Sequence, residues 1–105
     1  MEVVGRKATL RFIESWDLVT VLGDGLYDIE IVREEERMLV VRFDKELVYA
    51  GQTCRGAELR PRFVGVWLQA NDGVRVDAAN FVLLEHESAP MRSDGIGGIA
   101  DFVFA

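Results

Sequence analysis

The alternation of apolar and polar residues between positions 26 and 43 predicts a β-hairpin. Every second residue is apolar over residues 27–31, and the same alternation runs over residues 39–43. Side chains at alternate positions of an extended strand point to the same face, so each segment has one face to bury. Residues 34–37 between them are all charged, and they predict a solvated reversal. The rest of the chain is expected to be organised around this hairpin.

Two segments before the hairpin are also predicted to be strands. Residues 8–14 alternate apolar with polar, and residues 18–22 are rich in β-branched residues. Leu10, Ile13 and Trp16 also fit helical spacing, but the β-rich run that follows them favours strand. Residues 23–25 read Gly-Asp-Gly, and glycine readily adopts the positive φ angles that turns require. The expected arrangement is a three-stranded meander in which residues 18–22 join the hairpin.

Apolar runs and turn signals continue to alternate after the hairpin. The polar residues 44–46 predict a turn and residues 47–50 a short strand. Residues 52–62 show no clear period and contain a glycine and a proline, so we interpret them as a loop. Residues 63–70 predict a strand, and Asn-Asp-Gly at residues 71–73 is a strong hairpin signal.

The segment after this hairpin signal allows two interpretations. Asp77 is a suitable N-cap for a helix, whereas residues 81–84 are continuously apolar, with no polar helical face, and suit a buried strand. Strand is favoured, with one short helix around residues 78–88 as the alternative. With turn signals at intervals of about ten residues, the prediction is one all-β domain over residues 1–105, mainly antiparallel. Its architecture is a small barrel or sandwich of seven to nine short strands.

Composition and charge exclude several function classes. The 105 residues are 50% hydrophobic and 29% charged, as is typical of a globular domain. A net charge of −6 argues against nucleic-acid binding, which needs a basic face, and favours a basic protein partner. No apolar run approaches the roughly 20 residues that cross a bilayer, and the N-terminal residues lack a secretion signal. We therefore expect a cytoplasmic protein that does not bind membranes.

One histidine and one cysteine offer little for catalysis or metal binding. On a strand, Glu85 and Glu87 point away from the face of His86, so the three cannot share a ligand. Cys54 follows a polar stretch and precedes an arginine, which favours the thiolate, but no activating base can be placed beside it. We predict no catalytic residue, no metal and no cofactor, and we lean against an enzyme.

Carboxylates are concentrated on the central hairpin. The ordinary interpretation is a solubilising face that discourages edge-to-edge aggregation. The functional hypothesis is a docking surface for a basic protein partner. A mechanism that uses only carboxylates, with Asp28 or Glu30 beside Tyr27, stays open. The predicted partner-binding patch consists of Asp28, Glu30, Glu34, Glu35 and Glu36.

Aromatic residues suggest an alternative function, a small-ligand-binding β-barrel. Aromatic walls with a few polar groups are typical of small-molecule pockets, although aromatic residues more often simply fill a β core. The candidate lining residues are Trp16, Tyr27, Tyr49, Arg60, Arg62 and Trp67.

The C-terminal run, residues 99–105, is too apolar to remain in water. It either closes the sheet of its own chain or pairs with another copy, in which case the glycine-rich residues 94–98 act as a hinge. Self-closure is favoured, and a homodimer is also expected.

The predicted function is a non-enzymatic protein-interaction module of the inhibitor or modulator type.

Overall fold

The computed structural model describes residues 3–15, 26–35, 38–49, 52–61, 73, 75–85 and 97–105. Within these residues the chain forms six antiparallel strands in a closed barrel, in which each strand pairs with the next and the last pairs with the first. The all-β prediction is confirmed, and the chain adopts the barrel rather than the sandwich. The strands are β1 (Lys7–Ser15), β2 (Leu26–Glu35), β3 (Met38–Tyr49), β4 (Gln52–Arg60), β5 (Arg75–Leu84) and β6 (Gly97–Phe104).

The alternation along the central hairpin produces one wall of the barrel. Ile29 and Ile31 of β2 are buried, as are the alternate residues Leu39, Val41 and Phe43 of β3. The register places these side chains opposite one another on the inner face, as in the pair formed by Ile31 and Val41. The predicted hairpin is therefore confirmed, including the face that it buries.

Aromatic rings fill the space between the strands. The ring of Phe12, from β1, lies 4.9 Å from that of Phe81 and 5.4 Å from that of Tyr27, both edge-on. Phe43 packs against the same ring, with 6.2 Å between centroids. Edge-to-face pairs of this kind add to the burial of apolar area. One aromatic cluster thus ties together β1, β2, β3 and β5.

The loop predicted over residues 52–62 is wrong, because Gln52–Arg60 is a strand of the barrel. Ala57 of β4 pairs with Val41 on one side and with Leu83 on the other. Residues 56–59 are all buried, so both faces of this part of the strand are covered. Cys54, Ala57 and Leu59 all belong to the core, so the alternation changes phase between Cys54 and Ala57, and a single period of two does not fit the strand.

The turn predicted at residues 44–46 is also wrong, because β3 runs through it without a break. The register with β4 shifts between Arg42 and Leu47, and residues 44–46 are exposed there. Such an irregularity bends a strand and leaves polar residues outside the ladder. Leu47, predicted to begin a separate strand, therefore belongs to the end of β3.

The strand next to the hairpin is β1, which confirms the strand predicted at residues 8–14. Ala8 and Leu10 of β1 pair with Ile29 and Tyr27 of β2. The meander was predicted with residues 18–22 joined to the hairpin, whereas β1 pairs with β2. β1 supplies Ala8, Leu10 and Phe12 to the core. Residues 18–22, the turn at 23–25 and the strand predicted at 63–70 lie outside the described residues.

The second half of the chain closes the barrel. Arg75–Leu84 forms β5, so strand was the correct choice over helix through Leu84, and residues 86–88 lie outside the described residues. Gly73, in the predicted turn, has a φ of 84°, and its N–H donates to the carbonyl oxygen of Phe104 at 2.7 Å. β6 pairs with β5 and with β1 of the same chain, which is the predicted self-closure. In the described ranges, no helix is long and apolar enough to cross a membrane.

Candidate functional site

A groove of about 280 Å³ lies on the outer face of β1, β2 and β3. Because the apolar residues of these strands face the core, the intervening polar residues face the groove. The pairing register arranges them in two rows that cross the three strands. We call this feature the charged groove; its polar residues are Lys7, Thr9, Asp28, Glu30, Arg42 and Asp44.

The first row, which we call the cationic row, consists of Lys7, Glu30 and Arg42. Glu30 lies opposite Lys7 on one side and opposite Arg42 on the other. Arg42 Nη2 donates to Glu30 Oε1 at 3.3 Å, and both side chains are well exposed. Two cations against one carboxylate leave a net positive charge in this row.

The second row, which we call the acidic row, consists of Thr9, Asp28 and Asp44. Thr9 lies opposite Asp28, and its Oγ1 donates to Asp28 Oδ1 at 3.5 Å. Phe43 pairs with Ile29, which places Asp44, one residue further on, level with Asp28. Both carboxylates are exposed, and neither forms an ion pair with any residue in the described part of the chain. Like charges at one level of a sheet repel each other, so this row attracts a cation.

Exposed apolar side chains lie beyond the acidic row. Leu26 is 59% exposed and lies opposite Arg11 on the outer face. Ile13, two residues along β1 from Arg11, is 48% exposed. Single exposed apolar residues are common on protein surfaces, and neither of these two is among the residues that line the groove.

The structure divides the predicted acidic patch. Asp28 and Glu30 lie in the charged groove, whereas a bulge at Val32 reverses the faces of the residues that follow it. Arg33 then lies opposite Val40, and Glu34 lies opposite the buried Leu39. Glu34 therefore shares the face of Leu39, the face opposite to that of Asp28 and Glu30.

The other two members of the predicted patch are Glu35 and Glu36. Glu35 is exposed and pairs with Arg33, with 2.9 Å between Oε1 and Nε. Glu36 lies outside the described residues. Of the predicted patch, Asp28 and Glu30 therefore belong to the charged groove, while Glu34 and Glu35 lie beyond the bulge.

The residues predicted to line an aromatic pocket are only partly described. Tyr27 is half-buried, its ring centroid 5.4 Å from that of Phe43, and Lys45 Nζ lies 4.7 Å from the ring centroid of Tyr27. Tyr27 thus packs as part of the core, with a cation above it. Arg60 is exposed on β4. Trp16, Arg62, Trp67 and the side chain of Tyr49 lie outside what the structure describes.

Lys7, Thr9, Arg42 and Asp44 are groove residues that sequence reasoning missed. Lys7 and Thr9 come next to β2 only through the pairing of β1 with β2. Asp44 was assigned to a turn that does not exist. The alternation of Arg42 and Asp44 with the buried Val41 and Phe43 was the available signal, since it puts both on the outer face.

A buried carboxylate lies elsewhere on the outer face of the barrel. Glu58 of β4 is 7% exposed, and its Oε2 accepts no hydrogen bond. Arg60 Nη2 lies 3.8 Å from Oε2, within ion-pair distance but beyond hydrogen-bond distance. The residues paired with Glu58 on the neighbouring strands, Val40 and Val82, are both apolar.

The remaining candidates for chemistry give no site. Cys54 is buried in the core cluster. His86 lies outside the described residues. Across the described ranges, no group of three or more histidine, cysteine, aspartate or glutamate side chains is arranged to hold a metal ion.

Comparison with known proteins assigns no function. No protein-family model matches the chain, and neither a curated protein nor a solved structure matches it. The functional argument therefore depends on the charged groove.

Proposed function

We propose that this chain is a non-enzymatic protein-interaction module, of the inhibitor or modulator type, that binds a partner at the charged groove. The observation that carries the proposal is the acidic row. Asp28 and Asp44 are exposed at one level of neighbouring strands, and no described cation pairs with either. A basic side chain of a partner relieves this repulsion.

The position of these charges supports protein contact rather than catalysis. They lie on an open outer face, where water weakens each pair but long-range charge still steers association. The net charge of −6 also attracts a basic partner and so adds to this steering. Exposed Leu26 and Ile13 add apolar area at the edge of the polar surface. Apolar contact area with a polar border is the usual composition of a protein interface.

We place this interaction in the cytoplasm. The chain has a single cysteine, so it cannot form an intrachain disulfide, and thiols stay reduced in that compartment.

Affinity capture from a lysate of the native host tests the proposal. The wild-type protein is compared with an Asp28→Lys/Asp44→Lys variant at low and moderate salt, and bound proteins are identified by mass spectrometry. We expect a stoichiometric partner that moderate salt removes and that the variant captures at least ten-fold less.

A Glu34→Lys/Glu35→Lys variant is the matched control. It changes the net charge by the same amount, but beyond the bulge at Val32. Capture by this control should stay at the wild-type level. Equal loss in both variants, or loss in the control alone, contradicts binding at the charged groove.

The alternative is a small-ligand-binding barrel. The half-buried Tyr27, with Lys45 above its ring, supports it. The aromatic packing of Phe12, Phe43 and Phe81 opposes it, because these rings fill the described interior. If no partner is captured and a metabolite raises the melting temperature, the alternative takes precedence.

A further inference from the structure

The charged groove presents a different chemical character at each level along β2. Leu26, Asp28 and Glu30 are alternate residues of one strand: Leu26, opposite the exposed Arg11, lies just beyond the groove, and Asp28 and Glu30 mark the acidic row and the cationic row. Alternate residues of a strand are about 6.6–6.8 Å apart, since each residue rises 3.3–3.4 Å. The three levels are therefore evenly spaced at the repeat distance of a strand.

An extended polypeptide has the same repeat. If it lies along β2, its alternate side chains reach successive levels of the groove. An apolar side chain then contacts Leu26, a lysine or arginine reaches Asp28 and Asp44, and an acidic side chain reaches Lys7 and Arg42.

We infer that the charged groove binds an extended segment of the partner with the order apolar, any residue, basic, any residue, acidic, read along β2. This inference rests on the proposed interaction function and specifies the partner's chemistry. It follows from charge complementarity at two adjacent levels of opposite net sign.

The cationic row makes this site selective among basic partners. A segment with lysine or arginine at every alternate position is attracted by the acidic row, but its next basic side chain is repelled by Lys7 and Arg42. Lys7 is exposed opposite Glu30 and forms no ion pair with any described residue, so the row keeps its net positive charge. Unlike a purely acidic patch, the groove thus disfavours a uniformly basic chain.

Titration of labelled protein with synthetic peptides tests the inference. The probe is the nonapeptide Gly-Ser-Leu-Thr-Arg-Thr-Glu-Ser-Gly, and the control peptide replaces its Glu with Lys, so that no direction of binding along β2 places an acidic side chain at the cationic row. Binding is followed by the amide ¹H–¹⁵N NMR spectrum. We expect shifts at Thr9, Asp28 and Glu30 that saturate with the probe, and an affinity at least ten-fold weaker for the control peptide.

A charge-reversed protein makes the test reciprocal. The variant Lys7→Glu/Arg42→Glu reverses the sign of the cationic row at two exposed positions, so it should keep a dispersed amide spectrum. We expect it to prefer the control peptide. Equal affinity for the two peptides, no binding, or shifts confined to other strands overturns the inference.

The outcome separates this inference from the proposed function. If capture of a partner depends on Asp28 and Asp44 but the protein does not discriminate between the peptides, the interaction function stands and the segment pattern is wrong. If neither capture nor peptide binding depends on the groove, both are wrong.

Discussion

Glu58 is the residue whose surroundings fit its chemistry least. Its carboxylate is buried between Val40 and Val82 of the neighbouring strands, and one oxygen has no donor. A buried polar group without a partner costs about 1–3 kcal/mol of stability. Such a position is sensitive to substitution, because the cost of burial is not offset by a hydrogen bond.

We predict that Glu58→Val raises the free energy of unfolding by about 1–3 kcal/mol, as measured by urea denaturation. Valine is the same residue type as both paired residues, and it removes the buried charge. Arg60 is exposed, so the loss of its ion pair with Glu58 costs little stability. Glu58→Gln is the control. It removes the charge but keeps a polar group, so it should raise the free energy of unfolding by less than Glu58→Val does. A Glu58→Val protein less stable than wild type would contradict this account.

Gly73 is required by the backbone rather than by packing. Its φ of 84° is one that side chains disfavour, yet a Cβ built there meets nothing within 4 Å. We predict that Gly73→Ala lowers the free energy of unfolding by about 1–2 kcal/mol, the cost of the left-handed conformation. Gly73→Asn should lose less, because asparagine tolerates that region better. Equal stability of all three proteins in thermal unfolding would refute this explanation.

Pairs of strands are held together by charge in two different settings. Arg42 and Glu30 link β3 to β2 at 3.3 Å, with both side chains well exposed. Arg75 and Asp101 link β5 to β6 at 2.7 Å, and the Asp101 side chain is only 15% exposed. Exposed pairs contribute little because water and salt screen them.

Double-mutant cycles should therefore rank the two pairs. We expect a coupling energy below about 1 kcal/mol for Arg42 with Glu30, which falls further at high salt. The coupling of Arg75 with Asp101 should be larger and less sensitive to salt. The reverse order, measured by denaturation of the single and double alanine variants, would show that burial does not control these pairs.

The bulge in β2 shows how one residue changes an element. The pattern up to Ile31 puts even-numbered residues on the outer face, and simple continuation assigns Glu34 to that face as well. The extra residue at Val32 shifts the register, so Arg33 takes the outer face instead. No feature of the charged sequence that follows marks this shift.

At the scale of the whole molecule, β6 decides whether the sheet closes. It pairs with β1 and β5, and it contributes the buried Phe102 and Phe104 to the core. We predict that removal of residues 97–105 abolishes cooperative folding, with loss of amide dispersion in the NMR spectrum. Removal of Ala105 alone, which loses one hydrogen bond to Lys7, should leave the fold intact. A stable fold without β6 would show that barrel closure is not required.

The expected homodimer also depends on β6. Because both edges of this strand are paired within the chain, a dimer through residues 99–105 requires exchange of β6 between two copies. Sedimentation equilibrium distinguishes the two arrangements: a particle of twice the chain mass that persists on dilution supports exchange, and a monomer at all concentrations contradicts it.

The sequence by itself determined the strands that bury one face. In β1, β2 and β3 the alternation is a local property, so Ile29, Val41 and Phe43 could be assigned to the core before any pairing was known. β4 could not be found in this way, because its alternation changes phase between the buried Cys54 and Ala57. β6, at the C-terminal end of the chain, was recognised from its hydrophobicity alone.

Only the tertiary structure decided what the outer face presents. The charged groove exists because β1 pairs with β2, which brings Thr9 beside Asp28 and Lys7 beside Glu30 from about 20 residues away. Pairing between distant strands depends on register, and a bulge of one residue exchanges the faces of everything after it. The side chains that form the proposed binding surface were therefore visible in the sequence, but their arrangement was not.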